Sequence, residues 1–198
     1  MKKALIIIDV QNDFTKDGNL AVPGGEEIIP FINNIQTHFE TIIASQDWHP
    51  ADHGSFASNH KGKKPFEKTL LNGLDQVLWP DHCVQGSAGA EFHPDLVLNK
   101  INAIIRKGMD PEIDSYSAFF DNGHRKQTGL AGLLFDLGIK DLFFCGLAAD
   151  YCVYYSIKDA LAAGFHCNLF LQGTRAISSE NFNLIKSELA VSEVKLID

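Results

Sequence analysis

A chain of 198 residues, 45% hydrophobic and with 14 Phe, is long enough for one full core and too short for two comfortable ones. A formal net charge of −8 argues against a nucleic acid or an anionic membrane surface as the main partner. Cys83, Cys145, Cys152 and Cys167 form no CxxC pair, which speaks against a disulfide scaffold or a zinc ribbon.

The predicted elements alternate. After Met1-Lys2-Lys3 comes an apolar run, Ala4 to Val10, with Ile6, Ile7 and Ile8 together. Cut by Asp9, it is too short for a signal-peptide core or a membrane span and reads as a strand buried on both faces. A reduced, cytoplasmic setting is therefore expected. Gly24-Gly25 precede a helical pattern through Ile28, Ile32, Ile35 and Phe39, and Thr41 to Ala44 is the second strand. The irregular span from Trp48 to Phe92 exceeds an ordinary connection and reads as a lobe or lid. Ile101 to Ile105 is the third strand, Leu130 to Leu137 a helical stripe closed by Gly138, and Leu142 to Cys145 the fourth strand. A helix from Asp150 to about Ala163 stops at Gly164. His166 to Leu171 is a further strand, and a helix around Phe182 to Leu189 leads into Val194 to Ile197. This alternation predicts an α/β fold: an open, doubly wound, mainly parallel β-sheet with helices on both faces. It forms one domain over residues 1–198 with a loop-rich insertion at about 48–92.

In such sheets the working groups lie beyond the carboxyl ends of the strands. Cys152 is predicted in the first turn of a helix, after the tight turn at Gly146 and a plausible N-cap at Asp150. Free backbone N–H groups and the helix dipole favour an anion there and lower a thiol's pKa, the setting of a nucleophile; a small buried cysteine is the competing and, for any one Cys, commoner reading. Asp9 closes an all-apolar strand and needs a cation beside it; Lys107 closes another. A structural ion pair accounts for these two as well as catalysis does. With Cys152 they supply a nucleophile, a positive charge and a proton carrier.

The second constellation is Ser45-Gln46-Asp47-Trp48-His49-Pro50 followed by Trp79-Pro80-Asp81-His82-Cys83-Val84-Gln85. Asp47 and His49 leave their strand on the same side, and His82 completes a three-ligand site with open positions. One carboxylate and two imidazoles suit zinc, iron or manganese alike. His53 is a candidate fourth ligand. His38, His60, His93, His124 and His166 read as surface or structural.

These segments, with Asp9-Val10-Gln11-Asn12-Asp13-Phe14, Lys107-Gly108, Asp114-Ser115-Tyr116-Ser117-Ala118-Phe119 and Gly146-Leu147-Ala148-Ala149-Asp150-Tyr151-Cys152-Val153, make the chain resemble the nicotinamidases. That family, also called pyrazinamidases, falls within the isochorismatase-like cysteine hydrolases. The resemblance runs nearly end to end. It implies a catalytic triad of Asp9, Lys107 and Cys152, and a divalent metal, zinc before iron or manganese, on Asp47, His49 and His82. It also implies that the pyridine nitrogen of nicotinamide meets the metal, with Phe14, Trp79 and Tyr116 around the ring. A cis peptide is implied at Leu147-Ala148, with an oxyanion hole from the N–H groups of Ala148 and Cys152. The implied reaction is hydrolysis of nicotinamide, and of pyrazinamide, through a thioester in NAD salvage. No nucleic acid or membrane partner is implied, and a homo-oligomer is compatible with a family that ranges from monomers to larger assemblies. The chain departs from the pattern at Ala149, where the family usually has Thr. Two other readings compete: an amidase of the superfamily acting on carbamoyl or ureido compounds, and a non-catalytic member that binds a ligand or partner through the same pocket.

Overall fold

A computed structural model describes residues 2–198. The apolar run at the start becomes β1 (Lys2–Ile8), and it lies centrally because both its faces are apolar. Ala4, Ile6 and Ile8 project into one core cluster and Leu5 and Ile7 into another, all without exposure. Each fully buried Leu or Ile contributes roughly 1.5–3 kcal/mol, so these side chains alone hold the strand in the middle of the sheet.

β1 pairs with β2 (Thr41–Asp47). A hairpin of β3 (Lys68–Leu71) and β4 (Leu74–Val77) stands apart, and β5 (Ala103–Lys107), β6 (Ile139–Gly146), β7 (His166–Thr174) and β8 (Lys195–Ile197) complete the main sheet. Its order is β5-β2-β1-β6-β7-β8, and every adjacent pair is parallel. Helix α1 (Ile29–Ile35) covers the face of Leu5 and Ile7. Helices α2 (Leu130–Asp136), α3 (Cys152–Ala162) and α4 (Ser179–Val191) cover the other. The doubly wound expectation is met. Strand order reverses between β1 and β6, the place where such sheets open a crevice at their carboxyl ends.

Boundaries differ where local chemistry intervenes. β1 stops at Ile8 because Asp9 takes a positive φ of 46° and turns the chain out of the ladder. β5 is shifted toward Lys107, which pairs with Asp47 as the last rung on β2. The pattern from Ile28 to Phe39 is α-helical only in its middle, with 3-10 turns at Gly25–Ile28 and Gln36–His38. Within 48–92 the hairpin turns at Asn72 and Gly73, both of positive φ, the pairing that a two-residue hairpin loop favours. The dipeptide Asn-Gly carried that signal in the sequence. Among the described residues no helix is long and apolar enough to cross a membrane.

Candidate active site

Four neighbouring strands deliver the candidate residues to one edge. Asp9 follows β1, Asp47 ends β2, Lys107 ends β5 and Cys152 opens α3 just beyond β6. Lys107 is the hub. Its Nζ lies 2.6 Å from Asp47 Oδ1, 3.0 Å from Asp9 Oδ2, 2.9 Å from Ser115 O and 3.5 Å from Cys152 Sγ. A carboxylate oxygen of Asp9 and one of Asp47 lie within 4.8 Å of the Cys152 sulfur. The three side chains that the sequence spaces far apart therefore converge.

Their protonation follows from burial. Burial works against the Lys107 ammonium, but Asp47 and Asp9 more than offset it and hold the amine well above its ordinary range. Burial also opposes charge on Asp47, yet Lys107 and then His49 keep its carboxyl well below the usual range. For Asp9 burial wins over Lys107 and pushes the carboxyl up to about 6, although Ser45 Oγ donates to Asp9 Oδ1 at 2.7 Å. Burial likewise pushes the Cys152 thiol well up, with Lys107 pulling the other way. The lowered thiol pKa expected from a helix start is thus corrected: desolvation pushes the thiol up, and the Lys107 ammonium offsets this only in part. Such a thiol reacts when a base removes its proton during attack, and Asp9 stands within reach.

The helix start also corrects the N-cap. Tyr151 occupies the cap position, with no side-chain cap bond. Asp150 turns instead to the loop after β7, accepting from Ile177 N–H and Ser178 N–H, each at 2.9 Å. The preceding turn contains the cis peptide Leu147-Ala148 implied by the family resemblance. Gly146, with φ of 114°, has to be glycine, since a Cβ there would sit 2.0 Å from Ile8 O. Neither Ala148 N–H nor Cys152 N–H is taken by another backbone group among the described residues. Ala149 is buried and tied by its own N–H to Arg175 O at 2.7 Å, which holds the turn without a side-chain hydroxyl.

Asp47, His49 and His82 offer ligand atoms that all lie within 4.8 Å of one another. His49 Nδ1 lies 2.8 Å from Gly108 O and His82 Nδ1 lies 2.8 Å from Pro80 O. A carbonyl only accepts, so each Nδ1 carries the hydrogen and each Nε2 presents its lone pair. The lone pairs face Asp47 Oδ2, at 3.6 Å from His49 Nε2 and 4.0 Å from His82 Nε2. Burial, then His49, hold the His82 imidazole down at about 4, hence neutral. Burial opposes charge on His49, but Asp47 raises it toward the protonated form; with both rings neutral, three acceptors converge and fit a cation. Gly108 permits the approach, since a Cβ there would meet the His49 ring at 2.3 Å. His53 packs on His49 with ring centroids 4.4 Å apart, and its buried Nε2 makes no close hydrogen bond among the described residues. It groups with His49 and Asp114 rather than with Asp47 and His82.

Phe14, Trp79 and Tyr116 line the cavity beside Cys152, joined by Leu20, Tyr151 and Ile177, which sequence reasoning did not single out. Tyr151 meets Trp79 and Tyr116 edge to face at 4.9 and 5.5 Å, and the rings leave a cavity of only about 20 Å³. The other five histidines lie outside this centre.

The parallel α/β sheet thus carries a buried Cys–Lys–Asp cluster at its carboxyl edge, beside an Asp–His–His set. The Isochorismatase domain model matches residues 3–188. The nicotinamidase of Acinetobacter baylyi is 51% identical over 174 residues, covering 88% of this chain and 81% of that protein. The solved structure of an Acinetobacter baumanii nicotinamidase and pyrazinamidase superposes with a TM-score of 0.96 at 43% identity, covering 100% of this chain and 96% of that one. A pyrazinamidase of Pyrococcus horikoshii in complex with zinc superposes at 0.83 with 33% identity, covering 100% and 99%. The chain belongs to the isochorismatase domain family and, within it, to the nicotinamidases.

Proposed function

We propose that this chain hydrolyses nicotinamide, and pyrazinamide, to the corresponding acid and ammonia through a thioester on Cys152, a step of NAD salvage. The observation that carries this is the meeting of Cys152 Sγ, Lys107 Nζ and the Asp9 carboxylate beside an aromatic cavity. Membership of the nicotinamidases supports the substrate. Asp9 removes the thiol proton as sulfur attacks the carboxamide carbon, and Lys107 balances the negative charge that forms. The N–H groups of Ala148 and Cys152 receive the oxyanion, and losing one such donor typically costs roughly two to three decades in rate. Asp9 then passes the proton to the departing ammonia. Water attacks the thioester with Asp9 as base, and the acid leaves.

Asp47, His49 and His82 would hold a divalent metal; their donor set admits zinc, iron or manganese, and the zinc-bound relative supports zinc. Bound there, the metal supplies a Lewis-acid contact for the pyridine nitrogen. Phe14, Trp79 and Tyr116 orient the ring; a good aromatic pair adds about 0.5–1.5 kcal/mol beyond area burial. A cytoplasmic setting agrees with four buried free cysteines.

Replacing Cys152 by Ala tests the reading. Ammonia release from nicotinamide should vanish while the circular dichroism spectrum and unfolding temperature stay close to those of the parent. Retained turnover would reject the nucleophile, and with it the mechanism.

A further inference from the structure

β1 leaves the sheet before its neighbour does. Its last rung with β2 is Ile7 opposite Ala44, after which Asp9 turns the chain and Gln11 N–H donates to Asp9 O at 2.9 Å. β2 runs on to Asp47. On the β5 side Trp48 N–H donates to Lys107 O at 3.0 Å. Strand geometry alternates, so the N–H and C=O of Asp47, one residue earlier, face the side from which β1 has departed. Two buried backbone groups left unpaired there would be costly.

Gln11 closes that gap. It is fully buried, its Oε1 accepts from Asp47 N–H at 2.8 Å, and its Nε2 donates to Asp47 O at 2.8 Å. The other Nε2 hydrogen goes to Ala90 O at 2.8 Å, in the 3-10 turn Ala88–Ala90 shortly after His82. A primary amide presents donor and acceptor together as a peptide group does, so the side chain continues the ladder where the main chain cannot. Asn lacks the reach by one methylene, and an ionised Glu has no donor. Gln46 Nε2 also donates to Ala90 O, at 2.9 Å, so the turn has a second anchor.

We infer that Gln11 is a positioning residue for the metal centre: it clamps both backbone groups of Asp47 and thereby aims that carboxylate between Lys107 and the two imidazoles. It touches neither substrate nor metal. The inference rests on the reading of Asp47, His49 and His82 as ligands. Partners that orient a ligand typically carry about 10–100-fold in metal affinity.

The test is zinc affinity of the metal-free protein, measured by chelator competition on the unaltered chain, Gln11→Met, Gln11→Glu and Gln46→Met. Both Gln11 variants should bind zinc about 10–100-fold more weakly, whereas Gln46→Met should bind like the parent. Gln11→Glu keeps the acceptor for Asp47 N–H but sets a carboxylate against two carbonyl oxygens. A merely structural role would lower the unfolding temperature of the Gln11 variants and leave their zinc affinity at the parent's value, which overturns the inference. Zinc uptake missing from the unaltered protein overturns the metal reading and this inference together. Should the Gln11 variants not fold, hydrogen exchange at the Asp47 amide of the unaltered protein decides. Protection matching Ile43, inside the strand, supports the clamp, and exchange at the rate of an open loop rejects it.

Discussion

Asp9 carries the most consequential electrostatics at the scale of the residue. Its carboxyl, raised by burial from 3.8 to about 6, is ionised at neutral pH yet basic enough to accept a proton from a thiol that burial has pushed upward. Since the ionised form is the base, kcat/KM should fall as pH drops through about 6, a profile measurable with nicotinamide as substrate. Ser45→Ala removes the hydroxyl that favours the ionised form, so the acid limb should move to higher pH. Asp9 and Lys107 were legible in the sequence because each closes an apolar strand with an unexpected polar group, and Cys152 because it follows a strand and a tight turn at a helix start. Their protonation was not, because it depends on desolvation by residues from several strands. Gln11 stood within a quoted motif without a role, since its partners lie 36 and 79 residues away.

Among the elements, the turn between β6 and α3 and the loop after β7 act as a unit. Asp150 joins them through two hydrogen bonds, and Ile177, held by one of these, lines the cavity. Asp150→Ala should cost about 2–4 kcal/mol, given that hydrogen bonds to charged groups contribute about 1.5–3 kcal/mol each and this pair shares one anchor. KM should rise more than kcat falls, because the loss loosens a cavity wall and leaves Cys152, Lys107 and Asp9 in place. Denaturant unfolding and steady-state kinetics on one preparation would measure both. Asp150 was legible as a polar residue before a helix, and capping was the nearest local explanation. Its real partners follow β7, beyond any local pattern. The hairpin within 48–92 was the reverse case, visible in Asn72-Gly73 but masked because its apolar residues, Leu70, Leu71, Leu74 and Val77, do not alternate strictly with polar ones.

At the scale of the whole molecule, the candidate ligands from β2 and from the long insertion meet at the carboxyl edge of the sheet, so a bound ion would tie the insertion to the sheet. Chelation should lower the unfolding temperature. Zinc at about 100 times its dissociation constant adds about 2.7 kcal/mol of stability, and a chain of this length shifts about 2–4 °C per kcal/mol. Calorimetry with and without chelator should therefore differ by about 5–11 °C. The sheet itself was legible because an apolar run buried on both faces has few other homes. The edge-to-face rings around Cys152 leave only about 20 Å³ of cavity, so an entering nicotinamide has to part them. In stopped-flow mixing, the observed rate of association should level off as nicotinamide is increased, at a plateau set by the protein's own breathing.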